Sequence, residues 1–258
     1  MMKRKLITSI VVLIISVVGY IWLRPSHIAA PTIKTQNTTT HADSSRPENS
    51  KTSFNKSRYS FTDPTSIWII VNKTHPIRPL DFVPNDLKLP NVTQRLPGAQ
   101  EMKMRAPAAA ALERMFSAAT DAKLQLLIST AYRGYSYQKS LYDGYVRSDG
   151  QAAADTYSAR PGYSEHQTGL AVDIRARSGQ CSLDQCFGNL AEGKWLATNA
   201  YKYGFLLRYP KDKESITGYK YEPWHFRYIG TNLSQELHDQ GVETLEEFFG
   251  VSGGTHYN

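Results

Sequence analysis

A chain of 258 residues with 41% hydrophobic side chains and 16 tyrosines carries enough apolar surface for one substantial domain or two small ones, which excludes global disorder. Its net charge of +7 lies wholly in residues 1–58, where nine Lys and Arg face only Asp43 and Glu48. Residues 59–258 hold 21 basic and 21 acidic side chains, so the folded part lacks the basic bias of a nucleic-acid binder.

Lys3-Arg4-Lys5 precede an uncharged apolar run from Leu6 to Leu23. As a helix it would span about 27 Å, close to the roughly 30 Å hydrocarbon core of a bilayer. Tyr20 and Trp22 fall at its far end, where aromatic belts sit. The positive flank stays cytoplasmic, which places everything after Leu23 outside. Residues 1–23 therefore read as an uncleaved signal-anchor. A cleaved signal peptide is the alternative, with Ala29-Ala30 as its small-residue site and Pro31 arguing against it. Residues 24–58, rich in Thr, Ser, Asn and Pro, read as a disordered extracytoplasmic linker.

The folded domain is expected over residues 59–258. Ser66–Val71 and Leu124–Ala131 have the composition of buried strands. Between them Met104, Ala108, Ala111, Leu112, Met115, Phe116 and Ala119 recur at helical steps, with Pro107 tolerable in a first turn. Tyr135–Val146 reads as a second helix, and Leu170–Ile174 as a short strand. Cys181 and Cys186 are the only cysteines, and in an exported chain they are expected to pair locally; C-x4-C alone lacks two of a zinc site's ligands. Glu192–Tyr203 reads as a helix stopped by Gly204, Trp224–Ile229 as a strand, and Leu233–Gln240 as a helix stopped by Gly241, with a short piece at Leu245–Phe249. Helices and strands mix without regular βαβ alternation. The fold class that follows is α+β: one domain with a small antiparallel sheet flanked by helices.

Five of the seven histidines fall in linker, loop, surface-helix or tail contexts. His166 and His225 differ in their neighbours, lying in Ser164-Glu165-His166-Gln167-Thr168-Gly169-Leu170-Ala171-Val172-Asp173 and Glu222-Pro223-Trp224-His225. Asp173 is flanked by Val172 and Ile174, and a buried carboxylate needs a cation or strong donors. His166, Asp173 and His225 make a three-ligand set of the kind that holds catalytic zinc, with Glu222 left over as a base. A seven-residue separation puts His166 and Asp173 on opposite faces of a straight strand, so Gly169 must supply a turn. Pro223 must likewise bend the chain between Glu222 and His225. A buried His–Asp hydrogen bond beside a chance E-x-x-H accounts for the same residues equally well, and spacing alone leaves the two readings level.

The string SEHQTGLAVD resembles the S-x-H-x-x-G-x-A-x-D signature of VanY-type D-alanyl-D-alanine carboxypeptidases and their D,D-dipeptidase relatives, and EPWH resembles that family's E-x-x-W-H. Upstream, Tyr132-Arg133-Gly134 through Gln138 is similar to its Y-R-[SG]-x-x-x-Q segment. Val71-Asn72-Lys73, Pro79 through Leu87, Gly204 through Pro210 and Ile216 through Tyr219 add matches in the same order, so the likeness covers roughly residues 68–250. The resemblance implies that His166, Asp173 and His225 bind Zn²⁺ and that Glu222 is the catalytic base. It also implies that Arg133 contacts the scissile carbonyl and steadies the developing oxyanion, and that Gln138 and Ser164 line the substrate pocket.

The activity so implied is removal of the C-terminal D-Ala from peptidoglycan stem peptides, by an enzyme held at the membrane through its N-terminal helix and without a nucleic-acid partner. L,D-carboxypeptidase action on the shorter tetrapeptide is the near alternative. A non-catalytic wall-binding module is the alternative from another class, and it would be expected to have lost Glu222 or a ligand. A serine carboxypeptidase is set aside: Ser136-Tyr137-Gln138-Lys139 fits S-x-x-K, but neither S-D-N nor K-T-G follows.

Overall fold

The computed structural model describes residues 54–257. The expected signal-anchor (1–23) and the linker up to residue 53 lie outside the described residues. Among the described residues, no helix is long and apolar enough to cross a membrane.

In chain order the elements are β1 (Leu87–Lys88), β2 (Met104–Arg105), α1 (Ala106–Asp121), β3 (Leu126–Thr130), α2 (Tyr135–Asp149), α3 (Gln151–Tyr157), β4 (Ala171–Ala176), α4 (Ala191–Asn199), β5 (Phe205–Leu207), α5 (Glu214–Thr217), β6 (His225–Tyr228), α6 (Thr231–Gln240) and α7 (Leu245–Phe249). Strands β3, β4, β6 and β5 form a four-stranded sheet in that order, antiparallel throughout, and β1 and β2 form a separate antiparallel pair. The α+β class and the small antiparallel sheet read from the sequence are thus present.

Helix α1 covers one face of the sheet. Its buried stripe is largely alanine (Ala108, Ala109, Ala111 and Ala119 around Leu112, Met115 and Phe116), which lets its backbone approach closely. Val172, Ile174 and Phe226 point into this core. Side chains alternate along a strand, so Asp173, His225 and Arg227 point to the other face. That face is buried too, and it is the polar one.

Three expectations change. Ser66–Val71 is buried but is not a strand: Trp68 and Ile70 enter a second cluster with Ile229, Leu233, Leu237, Leu245 and Phe248, while Ile69 and Val71 enter the main core. The alternation is strand-like, yet its polar groups find other partners. Ile70 N donates to Phe61 O, and the Arg227 guanidinium takes the carbonyls of Ile67 and Ile69. Second, the helix from Glu192 toward Tyr203 is interrupted, with α4 ending at Asn199 and a 3₁₀ turn over Ala200–Tyr203 leading to Gly204 at φ 89°. Third, packing begins before Tyr59, because the Phe54 ring packs tilted against Trp68 and edge-on against Phe248.

Candidate metal centre and active site

His166 sits in a 3₁₀ turn, Glu165–Thr168, that ends at Gly169 in the left-handed conformation (φ 67°) before the chain enters β4. The left-handed φ selects glycine at position 169, and a Cβ there would also lie 2.8 Å from Leu87 Cδ2 and 3.0 Å from Arg105 Cγ and push those side chains aside. Arg105 N donates to Gly169 O (2.8 Å), and the Arg105 side chain pairs with Asp86 (2.9 Å), tying the β1–β2 pair to this turn. Asp173 and His225 are direct partners across β4 and β6. Around Pro223 the chain turns back, and His225 N donates to Glu222 O (3.1 Å).

Three ligand atoms converge on this face, all within 4.8 Å of one another, from His166, Asp173 and His225. His166 Nδ1 donates to Ala131 O (2.6 Å), which leaves Nε2 facing Asp173 Oδ2 at 3.4 Å. His225 presents Nδ1 to Asp173 Oδ1 at 3.1 Å. Burial, with Arg133 nearby, lowers His166 to about 4. Burial also opposes charge on His225, but the contacts with Asp173 and Glu165 outweigh it and raise the group to about 9. Two imidazole nitrogens and a carboxylate oxygen, with one imidazole oriented by a backbone carbonyl, suit a catalytic zinc ion.

Glu222 Oε2 lies 3.9 Å from His225 Nδ1, and loss of solvent in the cleft pushes its carboxyl up to about 7. The cleft has a volume of about 370 Å³, and its walls include Arg133, Ser164, Glu222, Trp224, Tyr157 and Leu183. Arg133 Nε is buried without a hydrogen-bond partner among the described residues. Ser164 is on the cleft wall. Gln138 is not: its buried amide donates to Ala159 O (2.7 Å), so it meets the cleft only by holding the Ser158–Ala159 segment in place. Cys181 and Cys186 are joined.

Residues 101–231 match the VanY family, described as D-alanyl-D-alanine carboxypeptidase. This chain belongs to that family. Among curated VanY-like relatives it is 44% identical over 188 residues to the putative carboxypeptidase YodJ of Bacillus subtilis (strain 168), covering 72% of this chain and 68% of the relative. It is 33% identical over 189 residues to a D-alanyl-D-alanine carboxypeptidase of Enterococcus faecalis (strain ATCC 700802 / V583), covering 70% of this chain and 64% of that protein. Among solved structures, the LdcB LD-carboxypeptidase aligns with a TM-score of 0.69 at 44% identity, over 74% of this chain and 89% of its own. A VanY D,D-pentapeptidase from a VanB-type resistance cassette, solved in complex with Zn(II), aligns with a TM-score of 0.57 at 32% identity, over 70% and 97%.

The VanY signatures did not point to the ionic cluster behind the ligands. Glu165 Oε1 accepts from Arg208 Nε and Arg227 Nη1, both at 2.7 Å, and Arg208 also forms a two-pronged pair with Glu246 (2.7 and 2.9 Å). All four side chains are at most 2% exposed. Burial opposes charge on Glu165, but the two guanidiniums hold it well below the usual carboxylate range. The available signal was an arginine inside each of two apolar strand segments, Phe205 to Tyr209 and Phe226 to Ile229. A buried arginine requires a buried acid.

Proposed function

We propose that His166, Asp173 and His225 hold a Zn²⁺ ion and that the chain uses it to cleave the C-terminal D-Ala from peptidoglycan stem peptides. The observation that carries this reading is the convergence of those three ligand atoms at the base of a cleft whose wall includes Glu222. The chain is a metallocarboxypeptidase of the VanY family, and the reaction is hydrolysis of one amide.

Bound zinc supplies a Lewis acid that activates water and polarises the scissile carbonyl. The protein's own groups do the rest. Glu222 takes a proton from the attacking water and returns it to the departing amine nitrogen. Loss of solvent in the cleft raises this carboxyl before any ion is bound, and a carboxylate in that position can take the proton and hand it on. The buried, unpartnered Nε of Arg133 at the cleft wall supports a role for this residue in binding the carbonyl oxygen as charge develops there. Ser164 bounds the substrate side. The Leu6–Leu23 run and the Lys3-Arg4-Lys5 flank support a single-pass anchor with the catalytic domain outside the cell. Protease accessibility of the domain on intact cells tests that placement.

A second reading, L,D-carboxypeptidase action on tetrapeptide stems, is favoured by the likeness to the LdcB LD-carboxypeptidase, at higher identity and TM-score than the VanY D,D-pentapeptidase. Mass spectrometry of products from matched tetra- and pentapeptides decides between them. D-Ala release from the pentapeptide supports the D,D reading, and release from the tetrapeptide alone replaces it. A non-catalytic wall-binding role is disfavoured because Glu222 and all three ligands are in place.

A further inference from the structure

A ligand histidine has two ring nitrogens, and only one can face the ion. At His225, Nδ1 points to Asp173 (3.1 Å). The other nitrogen, Nε2, is buried and points the opposite way, toward Glu165 Oε2 at 3.5 Å. Neither His225 Nε2 nor Glu165 Oε2 has a hydrogen-bond partner among the described residues. Two buried polar atoms with no partner, aimed at each other a few tenths of an ångström beyond ordinary hydrogen-bond length, form an incomplete contact.

The remainder of Glu165 explains why that contact is available. Its other oxygen is taken up by Arg208 and Arg227, each at 2.7 Å, so Oε2 alone is free to accept. Arg208 is in turn clamped by Glu246, and Asn72 Nδ2 donates to Glu246 Oε1 at 3.0 Å. Two carboxylates and two guanidiniums balance one another on this buried polar face, so Glu165 is held as an anion in a fixed position. Glu165 also neighbours His166 in sequence, and the same 3₁₀ turn carries both.

We infer that Glu165 is a positioning residue for the metal centre: its Oε2 accepts the Nε2 proton of His225 and so fixes the tautomer that leaves Nδ1 free to bind zinc. Arg208 and Arg227, which hold its other oxygen, are then the direct mount for that acceptor. This inference rests on the reading of His225 as a zinc ligand. A carboxylate placed behind a ligating imidazole orients the ring and strengthens it as a donor, and losing such a partner typically weakens metal affinity about 10–100-fold.

The test compares zinc affinity, by chelator competition on the full chain, with thermal stability for Glu165→Gln, Glu165→Asp and Glu246→Gln. In Glu165→Gln the amide nitrogen cannot accept from His225 while the amide oxygen serves an arginine. Its expected effect is zinc binding weakened about 10–100-fold. Glu165→Asp keeps the charge but withdraws it from the ring, with a smaller loss in the same direction. Glu246→Gln disturbs the same cluster without touching His225, and zinc affinity should stay within about threefold whatever the melting temperature does. A readout independent of variant folding is the ¹⁵N spectrum of the zinc-loaded wild type, where His225 Nε2 should carry a proton protected from solvent exchange. If Glu165→Gln and Glu246→Gln weaken zinc in proportion to their loss of stability, or if His225 Nε2 is unprotonated, Glu165 is structural only and the inference fails. If His225→Ala keeps wild-type zinc affinity, the metal-site reading fails first and takes the inference with it.

Discussion

Asp173 and His225 face each other across neighbouring antiparallel strands, with Oδ1 and Nδ1 3.1 Å apart. With no metal bound, this contact favours a protonated imidazole beside the carboxylate. His225 is raised to about 9 from an ordinary 6.5 because Asp173 and Glu165 overcome the penalty of burial. A raised histidine stabilises the fold fully below its unfolded value, and that contribution is lost as pH climbs through about 9. His166 has the opposite sign. Its value falls from 6.5 to about 4, so the contribution of its neutral form is present above 6.5 and is lost as pH drops through about 4.

The chelated enzyme should therefore melt at lower temperature at pH 9.5 than at pH 6.5, and His225→Gln should flatten that alkaline slope. Zinc must displace the His225 proton from Nδ1, so uptake near pH 7.5 should release about one proton. Calorimetry in buffers of different ionisation enthalpy measures this number. A count of zero would mean that the imidazole is already neutral and that the Asp173 contact is a plain hydrogen bond.

Glu222 and Arg133 share the cleft but should fail differently. Glu222→Gln keeps the shape and all three ligands, so zinc content should stay near one per chain. The rate should fall about 10²–10⁴-fold, the usual worth of a positioned base. Arg133→Ala should lower kcat about 10²–10³-fold, because the interaction it removes strengthens only as charge builds on the carbonyl oxygen. If Arg133→Ala raises KM alone, the guanidinium binds the ground state and not the developing charge.

Much of this site was legible because its chemistry is local in sequence. His166, Gly169 and Asp173 lie within eight residues, and the seven-residue offset already demanded a turn at Gly169, which adopts φ 67°. Helix α1 followed from apolar spacing, and the end of α6 from the glycine stop at Gly241. What stayed hidden depends on long-range pairing. Ser66–Val71 has a strand's composition, but Arg227, far along the chain, takes the carbonyls a neighbouring strand would otherwise have used. Gln138 was placed on the pocket from motif position alone, and only the fold shows its amide turned to Ala159. The Glu165 cluster joins four elements no spacing rule connects.

Gly169→Ala tests the turn itself. Forcing a side chain into left-handed backbone costs about 1–2 kcal/mol before any clash. The added Cβ would also press on Leu87 Cδ2 and Arg105 Cγ. Melting should fall by at least roughly 2–8 °C, and zinc affinity should fall with it, because the same turn aims His166. Gly169→Asn, a residue that tolerates this conformation better, should recover part of the backbone cost but not the clash. If alanine is neutral in both measurements, the turn is not what sets the distance between His166 and Asp173.

The Cys181–Cys186 bond closes a short ring whose residues Leu183 and Gln185 stand on the wall of the cleft. Arg175 Nη1 donates to Ser182 Oγ (3.1 Å), which ties the same loop to β4, the strand that carries Asp173. Leu183 is 44% exposed, a large apolar side chain left at the cleft edge with room to meet a peptide. Closing so small a ring contributes at most about 2 kcal/mol through the unfolded chain, so Cys181→Ser with Cys186→Ser should fold. Freed from the ring, the loop would hold Leu183 less firmly against a bound stem peptide. That interaction is the same in ground and transition states, so KM should rise several-fold while kcat stays near wild type. Mild reductant on the wild-type enzyme should reproduce the change and have no effect on the double variant. A fall in kcat at unchanged KM would place the effect at Asp173, through Arg175 and β4, and not at the rim of the cleft.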